Sequence, residues 1–373
     1  MSGLDLDGLR TGPAQVWGAV RLVPLLRAEP VADLRLHREV HDAGVTTVSA
    51  GGRSSYTAYI PHGFVANWTG DGTPAAAYGT QLGDQRAPVD CAPLHLVRRQ
   101  PGSRRSGGGA GALRFLPLHL ALDGYLALHF GGPSVVWEEW TRRAVREGLS
   151  PRAETAYRGG VVRGLGDALR IFEIHPGQCG VLVYVADALA SAFVVPHPDD
   201  YRALHPSLLH DLYGELIYQY GRYGPDAVPD LPVRIDPAYI ASVADLRAVA
   251  DRRQREWEAQ HHDLMAGDLL DESYSVRQVY RMGRFRLSRF RPPFALHRTQ
   301  HIGEMITDGK GRVAYLKTFR LSDKQVRRGH VLDRLAVHDW HIGATAAAMG
   351  IGAPELLRRI HHLGFTGLLK GDV

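Results

Sequence analysis

The chain changes its hydrophobic period along its length, and that change limits the folds open to it. Over the first 240 residues the apolar runs are short and closed by Gly, Pro or Asp. Gly18–Leu26, Ser55–Ile60, Leu94–Arg99 and Leu113–Leu122 are apolar or alternating, which predicts strands. Arg170–Pro196 reads as buried strands with a turn at Pro176–Gly177. Over the last fifty residues the apolar positions recur at helical spacing instead. A chain with short strands first and helices last predicts an α+β fold. The expected fold is a β-rich N-terminal domain with packed helices, a basic region with a β-hairpin, and a C-terminal three-helix unit.

Helices interrupt the first part at Trp137–Leu149 and over Pro198–Gly221, where Leu208, Leu209, Leu212, Leu216, Ile217 and Tyr220 keep helical spacing. Pro101–Ala112, PGSRRSGGGAGA, reads as a surface loop. After the Pro-rich stretch Gly224–Pro237, Ala241–Met265 reads as a densely charged helix that bridges domains or lines a dimer seam. The expected boundary lies near Asp268–Ser273. The divisions are 1–240, a sensor or accessory domain; 241–272, a connecting helix; 273–320, an Arg-rich region with a hairpin; and 321–373, the helical unit.

Charge is divided too. Of the 373 residues, 44 are Lys or Arg and 39 are Asp or Glu, but Tyr274–Val373 holds 18 basic and 7 acidic residues. That part carries +11 and the remainder −6. The asymmetry predicts that the basic part meets a polyanion. No run approaches the roughly 18 apolar residues of a membrane span. The start reads as free of a signal peptide, and two cysteines, Cys91 and Cys179, suit a reducing compartment. A cytoplasmic location away from membranes is expected.

Ser322 with Gln325 forms a capping box ahead of a first helix whose buried stripe is Val326, Val331, Leu332 and Leu335. Ile342, Ala346 and Met349 mark a short second helix, Gly350 a sharp turn, and Ile351 the plug beneath it. Pro354 opens a third helix with Leu356, Leu357, Ile360 and Leu363 inward, and Gly364 ends it. Two short helices about a Gly-containing turn, the second ending in basic residues, is the helix-turn-helix pattern.

Ala344–Ala348, Gly350-Ile351, Leu356, Arg358-Arg359-Ile360 and Leu363-Gly364 resemble the helix-turn-helix of the Fis family, including the C-terminal domains of NtrC-type activators. The resemblance implies that Gly352–His362 is a recognition helix entering the major groove. Arg358, Arg359, His361, His362, Glu355, Lys370, Arg327 and Arg328 are the candidate DNA contacts. Where that family begins this helix with polar residues, this chain has Gly352, Ala353 and Glu355, which leaves fewer groups to read base edges. Dimerisation is expected, because such proteins usually contact two half-sites.

Upstream, Arg281, Arg284, Arg286, Arg289 and Arg291 interleave with Tyr280, Phe285 and Phe290 in Tyr274–Pro293. Either they track a nucleic-acid backbone while the aromatics stack on bases, or the aromatics are core and the arginines face solvent. His301–Phe319 reads as a hairpin turning at Asp308-Gly309-Lys310-Gly311.

Leu9–Leu26, with HPGQCGVLVYVADALAS and PDDYRALHPSLLHDLYG, resembles the ARPP family of ADP-ribosylglycohydrolase- and rhodanese-phosphatase-associated protein domains. That resemblance spans Leu9 to Gly221. It implies a β-rich accessory domain with a nucleotide-like or ADP-ribose-derived ligand. Glu173, His175 and Cys179, then His205, His210, Asp211 and Glu215, are the nearest thing to catalytic clusters. Their spacings match no zinc or nucleophile motif, so core and surface roles are favoured over catalysis, and no metal or cofactor is expected. The expectation is a DNA-binding transcriptional regulator or nucleoid-type factor with a ligand-sensing or partner-binding N-terminal domain. The alternatives are a nucleotide- or ADP-ribose-processing enzyme targeted by its helix-turn-helix, and a protein–protein adaptor.

Overall fold

The computed structural model describes residues 6–37, 172–211 except 187, 235–262 and 266–366, with isolated short segments and single residues elsewhere. Trp137–Leu149, Pro101–Ala112, Leu94–Arg99 and the helix expected beyond Asp211 lie outside the described residues.

Nine strands form one sheet: β1 (Leu9–Thr11), β2 (Gln15–Trp17), β3 (Val20–Arg27), β4 (Gln178–Val185), β5 (Ala188–Val194), β6 (Ser275–Met282), β7 (Phe285–Arg291), β8 (His301–Thr307) and β9 (Val313–Arg320). Its order is β1-β3-β4-β5-β9-β8-β7-β6, with β2 also beside β3, and every pair is antiparallel. Leu9 stands opposite Arg27, and Trp17 opposite Val20, so β1 and β2 line one edge of β3 in succession. β4 is buried along its whole length, which explains its apolar run after Gln178. The turn into β5 falls at Ala186, in the left-handed region at φ 48°, while Pro176–Gly177 precedes β4.

The boundary expected near Asp268–Ser273 does not divide this sheet. Strands β6–β9, a meander of three hairpins, continue the sheet begun by β1–β5 through the β5–β9 pair. The hairpin β8–β9 turns where the sequence predicts. There the Asp308 carboxylate accepts the backbone N–H groups of Lys310 (2.9 Å) and Arg312 (3.0 Å).

One face of the sheet carries Val181, Val183, Phe193, Leu287, Ile306 and Tyr315, under helix α1 (Pro198–Asp211) with its Tyr201, Leu204 and Leu208. The other carries Leu182, Tyr184, Val194, Phe290 and Leu316, with Leu269 from the short helical segment Gly267–Leu270. Helix α2 (Val243–His261) starts at the Ser242 cap, two residues into the predicted Ala241–Met265, of which 263–265 lie outside the described residues. Only its last residue, His261, is buried.

The chain ends in helices α3 (Asp323–Val337), α4 (Ile342–Ala348) and α5 (Ala353–His362). The Ser322–Gln325 capping box is present. These helices share a third core of Val326, Val331, Leu332, Leu335, Ala346, Leu356 and Ile360, which also takes in Phe294 and Ile302 from the sheet side. A Cβ on Gly329 of α3 would overlap the Phe294 ring, so glycine is what lets that ring seat against the helix. The helical unit is therefore packed onto the sheet rather than tethered to it.

Candidate nucleic-acid interface

The exposed basic side chains of α5 are placed by its amphipathic period. Leu356 and Ile360 are fully buried, which turns Arg358, Arg359, His361 and His362 outward. Two turns set the helix. His341 caps α4 by accepting Ala344 N–H at Nδ1 (3.0 Å). Gly350, at φ 66°, then closes α4 while Ile351 packs on the helical core. Gly352 is the N-cap of α5 and offers no side-chain cap.

Glu355 dominates the electrostatics of this face. Its two carboxylate oxygens meet Arg358 Nη2 at 2.7 Å and Arg359 Nε at 2.9 Å. The hydrogen bond from Arg359, with Arg358 beside it, holds the Glu355 carboxyl below its usual range. An incoming phosphate must compete with this carboxylate for both guanidinium groups. Arg327 is exposed and its Nε reaches Asp323 O at 3.3 Å. Lys370 lies outside the described residues.

Arg328 does not belong to this face. It is 7% exposed, and its Nε donates to Leu363 O at 3.1 Å, tying α3 to the end of α5. A buried arginine spent on a helix C-terminal carbonyl is structural.

The Arg-rich strands divide differently from either sequence expectation taken whole. Phe285 and Phe290 are core residues, and Tyr280 packs edge-on against Trp68 at 6.2 Å, so these rings do not stand ready to stack on bases. Arg291 pairs with Asp333 of α3 at 2.6 Å and lies over the Phe130 ring at 4.6 Å. Arg284 donates to Ala32 O at 2.7 Å and pairs with Asp33 at 3.3 Å. These two arginines join parts of the fold. Arg281 and Arg286 are exposed and directly opposite each other across β6–β7. Arg289 is half-buried, opposite Glu304 on β8.

Among the described residues, the catalytic candidates do not converge. His205 is buried between Phe172 O (3.0 Å) and Tyr201 OH (3.3 Å), and burial pushes its pKa down. Cys179 is buried, and desolvation pushes its thiol up to about 11 despite Arg27 beside it. His175 lies 3.4 Å from Gln15 Nε2, and Glu173 is engaged through its backbone carbonyl. The side chains of His210, Asp211 and Glu215 lie outside the described residues. Among the described residues no three His, Cys, Asp or Glu side chains gather to hold a metal. No described helix is long and apolar enough to cross a membrane.

The family model ARPP-2 matches residues 4–283. The chain belongs to the ARPP-2 family. The ARPP-2 match runs from ahead of β1 through β6 and stops in the β6–β7 turn. It bears out the N-terminal resemblance and extends it across the charged helix α2. Strands β7–β9 and helices α3–α5 lie beyond the matched residues. No curated protein and no solved structure matches it. Sequence reasoning overlooked Glu304 and Lys317, although each interrupts an inward-facing apolar position of a strand, in HIGEMIT and VAYLKTF.

Proposed function

We propose that this ARPP-2 protein binds DNA through its C-terminal helices, with α4 and α5 acting as a helix-turn-helix of the Fis type. The observation that carries the reading is the outward row Arg358, Arg359, His361 and His362 on a helix whose opposite face is fully buried. The +11 charge of the last hundred residues supports it, because backbone neutralisation supplies most non-specific affinity. Glu355 makes the binding weak or base-selective. It either opposes phosphate or accepts a cytosine amine while an arginine reads the paired guanine. In this reading the sheet is a ligand-sensing or partner platform in a dimeric regulator.

The test is a DNA titration of the full chain at two salt concentrations. The full chain is required because β6–β9 share a sheet with β3–β5 and cannot be separated from it intact. Salt-sensitive binding supports the reading. Absence of binding at low salt rejects it and favours the adaptor, for which Val337, Trp340 and Leu357, each more than a third exposed, offer apolar contacts.

A further inference from the structure

Four ionisable side chains stand in one cross-strand row: Arg277 on β6, Arg289 on β7, Glu304 on β8 and Lys317 on β9. Cross-strand partners share a face at about 5 Å spacing, so the row runs inward from the sheet's edge strand. Arg277 is exposed, Arg289 is half-buried, and Glu304 and Lys317 are both 0% exposed. At the inner end Lys317 Nζ lies 3.1 Å from Glu304 Oε1, which also accepts the Tyr315 hydroxyl at 2.9 Å. Among the described residues, Lys317 Nζ makes no directed hydrogen bond beyond this ion pair, and Glu304 Oε2 has no partner.

A fully buried ammonium and a buried carboxylate oxygen without hydrogen bonds are costly, and such atoms rarely stay unsatisfied in folded proteins. Replacing both by apolar residues would be cheaper if the pair served packing alone. The two atoms are complementary in kind. Nζ can only donate and Oε2 can only accept, so a group completing both must accept from one and donate to the other. With Arg277 at its exposed end, the row holds more cationic than anionic side chains, which favours an anion.

We propose that this row binds the protonated oxyanion of a phosphate group, with a bare phosphate oxygen on Lys317 Nζ and the P–OH donating to Glu304 Oε2. Arg289 and Arg277 line its approach from the sheet edge. Glu304 acts as the selector, because an oxyanion with no proton to donate meets only a second negative charge there. Ile302, two residues before Glu304 on the same strand, packs in the core of the C-terminal helices. Occupancy of the row is thus felt at the seat of that unit. The proposal is independent of the nucleic-acid reading.

The experiment is thermal unfolding of the full chain near pH 6 in chloride, sulfate, inorganic phosphate and glycerol phosphate at matched ionic strength. At that pH about half of a phosphomonoester carries the required proton. At ten times the dissociation constant, phosphate should raise Tm by about 2 °C over chloride, and sulfate should not. A larger effect of glycerol phosphate than of inorganic phosphate identifies a phosphomonoester as the source; the reverse identifies free phosphate. Glu304→Gln, whose amide can donate, should let sulfate stabilise as phosphate does. Lys317→Met should abolish both responses. Equal stabilisation of the wild type by sulfate and phosphate overturns the proposal, since both anions strengthen apolar burial non-specifically. No phosphate effect overturns it as well. If either variant fails to fold, the wild-type contrast between phosphate and sulfate still decides.

Discussion

The interior of the sheet and the outward face of the terminal helices use the same residue types in opposite ways. In the sheet and the segments packed on it, His205, His261 and His301 are buried, and Arg27, Arg284 and Arg291 are spent on neighbours within the fold. On the helices, His341, His361, His362, Arg358 and Arg359 face solvent. The period of each element decides the outcome. A strand in a sheet covered on both faces sends even its polar residues into the interior, whereas a short helix packed on one side keeps a whole face outward. Arginine-rich composition is therefore weak evidence for an interface until the element that carries it is known.

Acid should separate the two regions most sharply. Burial, with Arg21 and His262 nearby, lowers His261 to about 4, and burial with Arg320 lowers His301 to about 3. Both folded values lie below the unfolded value, so protons favour the unfolded chain. The stability is complete above about pH 6.5 and is lost as pH falls toward the folded values. From pH 6.5 to 4.5 the two groups together should cost on the order of 5 kcal/mol. Urea unfolding at those two pH values measures it. Equal stability would mean that these imidazoles are not held neutral in the interior, and the contrast between the regions would weaken.

The joint between the regions comes next in size. Phe294→Ala should destabilise the chain by about 3–5 kcal/mol, because the ring is fully buried against Gly329 and joins the sheet to the helical core. Denaturant unfolding should remain a single transition. A loss below about 1 kcal/mol, or an early separate transition of the helices, would show that the unit is tethered rather than packed.

The terminal helices were legible because their signals are local. Ser322, Gln325, Gly350 and Pro354 each act within one turn, and all of them occupy the expected cap or turn positions. Hairpin β8–β9 was legible for the same reason, through Asp308 and Gly311. The sheet order was not. The pairing of β5 with β9 joins Ser191 to Phe319, 128 residues further along the chain, and nothing near either residue announces it. Hence the boundary near Asp268–Ser273, drawn from a change in composition, falls inside one sheet. At the candidate interface, Arg358 and Arg359 could be placed outward from helical spacing alone. Arg328 could not be recognised as buried, since its partner is a carbonyl 35 residues away. Nor could Arg291, whose partner Asp333 belongs to another element.

Arginine substitutions sharpen the comparison at a smaller energy. Arg358→Ala with Arg359→Ala should lower DNA affinity by roughly 10- to 100-fold and flatten the salt slope by about 2, if each contacts one phosphate. Arg284→Ala should leave the slope unchanged, because that side chain is engaged by Ala32 and Asp33. Glu355→Gln should raise affinity at low salt by freeing both guanidinium groups. Anisotropy titrations at two salt concentrations read all three. An unchanged slope in the double variant would remove α5 from the interface.

The smallest effect tests whether the joint serves only stability. Arg291 and Asp333 are both about a quarter exposed, at 26% and 22%, so their 2.6 Å ion pair is partly screened. Asp333→Ala should cost about 1 kcal/mol, with Arg291 retaining its contact over the Phe130 ring. DNA affinity should not change, because neither side chain lies on the outward face of α5. Measuring unfolding and DNA binding on the same variant separates two outcomes. A stability loss alone leaves the joint a structural contact. A loss of affinity larger than the stability change would mean that the angle of the helices on the sheet governs binding, and the two regions would then work as one device.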